Sequence, residues 1–148
     1  MIVPDVNLLV YAYDSSSPHH TAAAGWWTTC VKGGEEVGLP FVVIFGFIRI
    51  CTHPKVFLNP LTIGEASQRV QAWLACPQVR IIDPSPHHVT DTLRLLENTG
   101  VGGNLTTDAQ IAAMVLQEKA VLHSNDTDFL RFPGLRWHNP LTGKSGVS

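Results

Sequence analysis

Four aspartates stand at the ends of segments that read as scaffold. Asp5 closes the apolar run Met1–Val3, Asp108 opens an Ala-rich stretch, and Asp126 and Asp128 follow the apolar run Ala120–Leu122. Ligands of open α/β sheets bind outside the carboxyl ends of the strands, where carboxylates on strand-end loops and helix N-termini can meet. Hard oxygen donors of this kind suit Mg²⁺, with Mn²⁺ as a substitute, because these ions keep several waters and bind through a few carboxylates plus a substrate phosphate. Asp108, placed at a helix start, is expected to be held ionised by the helix dipole. Each aspartate also has a plainer reading: Asp5 as an N-cap, Asp108 as a first-turn charge, Asp126 and Asp128 as turn residues. The four together are harder to explain that way.

The intervening sequence supplies the elements that must position them. Met1–Val3 is a β-branched run ended by Pro4, followed by helical spacing over Asn7–Tyr13. Pro18 fits a first helical turn leading into His20–Val31, which Gly33-Gly34 stops. Val37–Leu39 reads as a short strand. Phe41, Ile44, Phe45 and Ile48 then follow the i, i+3, i+4, i+7 pattern in a helix apolar on nearly every side, which must bury itself against the sheet or a second subunit. Thr62 and Glu65 match a capping box opening a helix to about Cys76. Val79–Ile82 is another strand; Ser85-Pro86 reads as N-cap and first-turn proline, Val89, Leu93 and Leu96 as an apolar stripe, and Gly100 as its stop. A helix from Asp108 carries Ala109, Ala112, Ala113 and Leu116 on one face, and Ala120–Leu122 is the strand before the Asn125–Asp128 loop. Strands alternating with helices predict an α/β fold, a three-layer α/β/α sandwich around a central, mostly parallel sheet. One domain over residues 1–142 is expected, with 143–148 as a loose tail.

Composition excludes several classes. A chain of 148 residues with 45% hydrophobic content can bury a real core. Its formal net charge of −2 gives no global attraction to nucleic acid, so a polyanion must be held by local cations or bound metal. Cys30, Cys51 and Cys76 are odd in number and form no CxxC, which argues against a disulfide framework or zinc site and for a reducing cytoplasm. The N-terminus lacks a basic region preceding its apolar run, so no signal peptide is expected, and Leu39–Ile48 is too short to span a bilayer. The His19-His20 and His87-His88 pairs point apart on helices and make poor metal ligands. Trp26, Trp27, Trp73 and Trp137 favour packing over base stacking. No Ser-His-Asp arrangement, P-loop or GxGxxG is present.

The segments Val3-Pro4-Asp5-Val6-Asn7-Leu8-Leu9, Gly46-Phe47-Ile48-Arg49, Gly103-Asn104-Leu105-Thr106-Thr107-Asp108-Ala109 and Ser124-Asn125-Asp126-Thr127-Asp128-Phe129 together resemble a PIN domain, of the VapC toxin branch of bacterial VapBC toxin–antitoxin pairs. The likeness runs from Ile2 to Pro140-Leu141. It implies a PIN-like fold and Mg²⁺-dependent endoribonuclease activity against cellular RNA, inhibiting translation and growth, with a cognate VapB-type antitoxin as partner. It also implies Asp5, Asp108 and Asp126 as metal positions, Asp128 as the aspartate before the family's phenylalanine, and Asn7 and Thr107 as accessory polar positions. Arg49 is the candidate phosphate contact, with an interior salt bridge as its alternative. Gly46 departs from the pattern, standing where many relatives carry a glutamate. A glycine within a helix costs about 1 kcal/mol against alanine, so something is expected to approach its backbone closely: a water or metal-bound water in place of the carboxylate, a partner side chain, or a tightly packed neighbour.

Three readings follow. The first is a toxin endoribonuclease, a homodimer through the Phe41–Ile48 helix. The second is a catalytically weak PIN-like module that binds RNA or a partner. The third, a phospho-acceptor or phosphatase domain using Asp5, lacks a second nearby carboxylate and a strand-end lysine and ranks last.

Overall fold

The computed structural model describes residues 1–148. Six strands form one sheet in the order β3-β2-β1-β4-β5-β6, made of β1 (Ile2–Pro4), β2 (Val37–Pro40), β3 (Val79–Ile82), β4 (Val121–His123), β5 (Arg136–His138) and β6 (Ser145–Val147). Every pairing is parallel except β5 with β6. Six helices flank the sheet: α1 (Val6–Tyr13), α2 (His20–Lys32), α3 (Phe41–Cys51), α4 (Ile63–Leu74), α5 (His88–Thr99) and α6 (Leu105–Gln117). The α/β sandwich read from the sequence is therefore the fold observed. Residues 143–148 correct the expectation of a loose tail, because β6 pairs antiparallel with β5 in the register Arg136↔Val147 to His138↔Ser145.

β1 is central and buried throughout, so its residues are apolar without alternation. The chain leaves β1 for β2 and β3 on one side, then crosses back to β4 on the other. The reversal of strand order thus lies between β1 and β4, and the crevice at their carboxyl ends is where such a sheet receives a ligand. The β1–β4 register ends at Pro4↔His123, which puts Asp5 and Ser124 side by side as the next residues out.

Around the sheet, α1 packs on α2 and α3, α5 on α6, and α3 also touches α4 and α6. One contiguous cluster of 34 buried residues spans β1 to β5 and the helices, so a single core serves the chain. Trp27, Trp73 and Phe47 within it, with the partly buried Tyr13 against them, form an aromatic cluster of tilted and edge-on rings, the Trp73 and Phe47 ring centres 4.7 Å apart and the Trp73 indole N–H donating to the Tyr13 hydroxyl at 2.7 Å. Packing is thus the role of Trp27, Trp73 and Trp137, all buried.

Local signals explain most boundaries. The Thr62/Glu65 capping box is present in both directions at 3.1 Å and starts α4. Gly100, at φ 68°, ends α5 in the left-handed conformation that glycine adopts without steric penalty. Two helix starts differ from the sequence reading. α5 begins at His88, because the Ser85 hydroxyl accepts from the His87 amide in a turn ahead of the helix. α6 begins at Leu105, which moves Asp108 from the helix start to the end of its first turn.

Candidate active site

Asp5 emerges from β1 into the N-cap position of α1, where its carboxylate forms no well-aligned capping hydrogen bond, although the Val6 and Asn7 amides lie near enough to favour its charge. Its backbone N–H donates to the His123 carbonyl at 2.9 Å, fixing the residue to the end of β4. The Ser124 hydroxyl donates to Asp5 Oδ2 at 2.9 Å and in turn accepts from the Asp126 amide at 2.9 Å. One hydroxyl therefore ties the first acidic position to the loop that carries the third. Asp5 is only 4% exposed. Burial raises its carboxyl to about 6, against the lowering effects of Ser124 and the Val6 and Asn7 amides, and the Asp126 charge adds to the rise.

Asp108 faces the same crevice from α6. It is raised to about 7, first by burial and then by the charges of Asp5, Asp126 and Asp128. The expectation that the helix dipole holds it ionised is thus corrected: the dipole contributes a fraction of a unit charge near the helix end, and desolvation with like charges outweighs it. Asp126 is half-buried and caps the short 3-10 helix Thr127–Arg131, its Oδ1 accepting from the Asp128 amide at 2.9 Å. Asp128 itself is exposed, 3.9 Å from the Arg131 guanidinium, and acts on the cluster only through its charge.

Asp5 and Asp108 line a cleft of about 480 Å³ together with Asn7, Arg49, Asn104 and Thr107, and with Phe45 and Gly46 at its α3 wall. All three accessory positions read from the sequence, Asn7, Thr107 and Arg49, therefore reach this cleft. Arg49 is exposed and forms no salt bridge, which removes the interior ion pair from its alternatives. A second, smaller cleft of about 250 Å³ lies on the other side of Asn7, lined by Tyr11, Asn125, Asp126 and Thr127. No three His, Cys, Asp or Glu side chains converge closely enough to hold a metal ion by themselves. The acidic groups instead sense one another's charge across the mouth of the crevice.

Gly46 is a packing residue. A Cβ on it would stand 2.9 Å from Val6 Cγ2 and 3.4 Å from Cγ1, so α3 can approach α1 only through a glycine here. α3, expected to be buried on most of its faces by the sheet or a second subunit, buries Val43, Ile44, Phe47 and Cys51 within the chain, whereas Phe41, Phe45 and Arg49, four residues apart, form an exposed edge.

Sequence reasoning missed Ser124, Tyr11, His123 and Asn139. Tyr11 is raised above its ordinary value by burial and by the Asp5 and Asp126 charges, which places its phenol beside the acidic group. His123 accepts the Trp26 indole N–H on Nδ1 at 3.0 Å, and burial beside His138 pushes it down to about 4, so it stays neutral. A run of apolar residues ending in polar loop residues was the only available signal for these positions, and it does not single out which polar residues turn inward.

A family model described as PIN domain matches residues 2–135. Ribonuclease VapC33 of Mycobacterium tuberculosis is 42% identical over 141 residues, covering 95% of this chain and 99% of that protein. Ribonuclease VapC37 of the same organism is 35% identical over 140 residues, covering 95% and 97%. Among solved structures, VapBC2 from Rickettsia felis bound to a promoter DNA fragment superimposes with a TM-score of 0.67 at 22% identity, covering 94% of this chain and 98% of that one. The sarcin–ricin loop cleaving toxin VapC20 of M. tuberculosis superimposes with a TM-score of 0.67 at 14% identity over 87% and 92%. At these identities the structural likeness establishes the fold.

Proposed function

We propose, from the premise that this chain belongs to the PIN domain family and to its VapC branch, that it is an endoribonuclease, the toxin of a type II toxin–antitoxin pair, cleaving cellular RNA with Mg²⁺ or Mn²⁺ and so inhibiting translation and growth. The observation that carries the reading is the Asp5 carboxylate, 4% exposed at the sheet's switch point and in the field of Asp126 and Asp108, with one side-chain hydrogen bond and no protein cation to neutralise it.

That donor set fits a hard divalent cation. All the available ligands are oxygens, and carboxylates too far apart to enclose an ion directly suit a cation that keeps several waters. Bound there, the ion would acidify a water and neutralise charge on a phosphoryl oxygen. Asp5, Asp108 and Asp126 are the residues assigned to hold it. Ser124 aims Asp5 and fixes the loop of Asp126. Arg49, an unpaired guanidinium on the cleft wall, is assigned to a phosphate, and Asn7 and Thr107 to polar contacts with the substrate backbone. Asp128 adds negative charge at the rim, which would favour a second cation or a water held beside the substrate.

In the same proposal a VapB-type antitoxin occupies the acidic cleft and blocks it. The protein works in the cytoplasm as a homodimer. No helix is long and apolar enough to cross a membrane. The absence of three converging ligands supports a second reading, a weak PIN-like module that binds RNA or a partner without cutting it. Incubation of the purified chain with total cellular RNA separates the two. Cleavage is expected with Mg²⁺ or Mn²⁺ and none in EDTA. Cleavage surviving EDTA overturns the metal assignment, and Mg²⁺-saturated protein that binds RNA uncut selects the module.

A further inference from the structure

The second cleft contains an amide whose orientation the surrounding hydrogen bonds determine. Asn139, 5% exposed, follows β5 and closes the hairpin to β6, its backbone N–H donating to the Lys144 carbonyl at 2.8 Å. Its Oδ1 accepts the Leu141 backbone N–H at 2.9 Å. A backbone amide can only donate, so that side-chain atom must be oxygen and the other Nδ2. Nδ2 donates to Asn125 at 2.9 Å, and the atom it meets must therefore be Asn125 Oδ1. The Asn125 Nδ2, with two N–H donors, is left pointing away from Asn139, and it donates to no protein group. Asn125 lines the cleft with Asn7, Tyr11, Asp126 and Thr127, one residue from a proposed metal position.

An Asn side chain free to rotate would present oxygen or nitrogen to a ligand with comparable ease. Here a chain of three groups, from the Leu141 amide through Asn139 to Asn125, selects nitrogen. A surface showing fixed N–H donors beside an acidic site is suited to an anionic or ether oxygen, and a phosphodiester backbone offers both.

We propose that Asn125 contacts the RNA backbone, donating from Nδ2 to a phosphate oxygen of the nucleotide next to the scissile phosphate, and that Asn139 is the positioning residue that turns the Asn125 amide to do so. The substrate strand then crosses Asp5 and Asp126 from the cleft of Arg49 and Asp108 to the cleft of Asn125. The inference rests on the ribonuclease reading above.

Asn139→Asp tests it most sharply. The variant keeps an oxygen for the Leu141 amide but replaces the donor facing Asn125 with an acceptor, so Asn125 reverses its amide and shows Oδ1 to the substrate. Asn125→Ala removes the contact and keeps Asn139 itself, at the expense of the acceptor for its Nδ2. Two measurements are made on the full chain: the affinity of a mixed-sequence single-stranded RNA for each variant in an Asp108→Asn background, and KM and kcat for Mg²⁺-dependent cleavage of total RNA in the Asp108 background. Both variants are expected to weaken RNA binding and raise KM by roughly tenfold, the size of one hydrogen bond to a charged acceptor, with kcat changed less. The double variant should be no weaker than Asn125→Ala, because Asn139 acts through Asn125. Variants that melt earlier yet bind and cut RNA as the parent does overturn the proposal and leave Asn139 as a hairpin anchor. So does an Asn139→Asp defect that adds to that of Asn125→Ala. If the parent binds RNA in an Asn125-dependent way but cuts none, the contact stands and the ribonuclease reading falls; if it neither binds nor cuts, both fall.

Discussion

At the scale of single residues, the raised carboxyls make a prediction with a definite sign. Asp5 has an ordinary value of 3.8 and stands at about 6 in the fold. Between those values the native chain keeps a proton that the unfolded chain has lost, so this residue's contribution to stability falls as pH rises through that window and stays low above it. Asp108, at about 7, extends the same effect upward. Asp5→Asn and Asp108→Asn are therefore expected to match the parent's melting temperature near pH 4 and exceed it near pH 8, while lowering Mg²⁺-dependent cleavage by on the order of 100-fold or more. His123 acts in the opposite sense, since a neutral buried imidazole loses stability on acidification, but it is common to parent and variant and cancels in the difference. Mg²⁺ should raise the parent's melting temperature more at pH 8 than at pH 5. A thermal scan against pH, with EDTA or Mg²⁺, measures all of this, and an Asn variant that melts earlier at pH 8 would make the carboxylate a structural group. The aspartates were legible because each abuts an apolar run, so the topology alone brings them to one edge. Ser124 and Asn139 were not, because a hydroxyl or amide in a polar loop gains meaning only from its partner, and for Ser124 that partner is 119 residues away.

At the scale of elements, the informative place is the crossing of α1 and α3. Sequence periodicity identified both helices, but it could not say that Gly46 faces Val6 at a distance no Cβ tolerates. Val6 is β-branched and sits in the first turn of α1, one residue from Asp5, so it has little freedom to yield. Gly46→Ala is expected to destabilise the fold by about 1–3 kcal/mol, as overpacking does, and to disturb Asp5 through the shifted α1. Adding Val6→Ala makes room and should recover part of the loss, a coupling that denaturant unfolding of the two single variants and the double measures. Gly46→Glu should lower the melting temperature without tightening Mg²⁺ in a calorimetric titration. Tighter Mg²⁺ binding at unchanged stability would instead return Gly46 to the acidic constellation. The same limit explains the misplaced starts of α5 and α6. Ser85 and Asp108 are residue types that favour helix beginnings, and only the turn around His87 and the glycines before Leu105 decide where the first helical hydrogen bond forms.

At the scale of the whole molecule, the acidic cleft and its flanking cleft are built from one chain, whereas an apolar face elsewhere on it has no cover. Phe41 at the start of α3 is 43% exposed, and Val89 and Leu93 on α5 are 71% and 52% exposed. His88 and Gln110 lie between them, lining the depression beside Phe41 and the one beside Val89 and Leu93, so the three side chains belong to one surface. α5 carries a strong amphipathic stripe whose inner side buries Thr92 and Leu95, and its outer side offers leucine and valine to solvent. A second copy of the same chain meeting this face about a two-fold axis would cover it, with the same residues contributed by each side. Light scattering at micromolar concentration is expected to return twice the 16.2 kDa chain mass. Leu93→Glu, at a position already half-exposed and so of little consequence for folding, should return the single mass. Because the cleft residues come from one chain, the monomeric variant should still cleave RNA with Mg²⁺. A parent that is monomeric without any antitoxin removes the dimer. A monomeric Leu93→Glu that has lost cleavage at unchanged melting temperature would mean that the second copy completes the site.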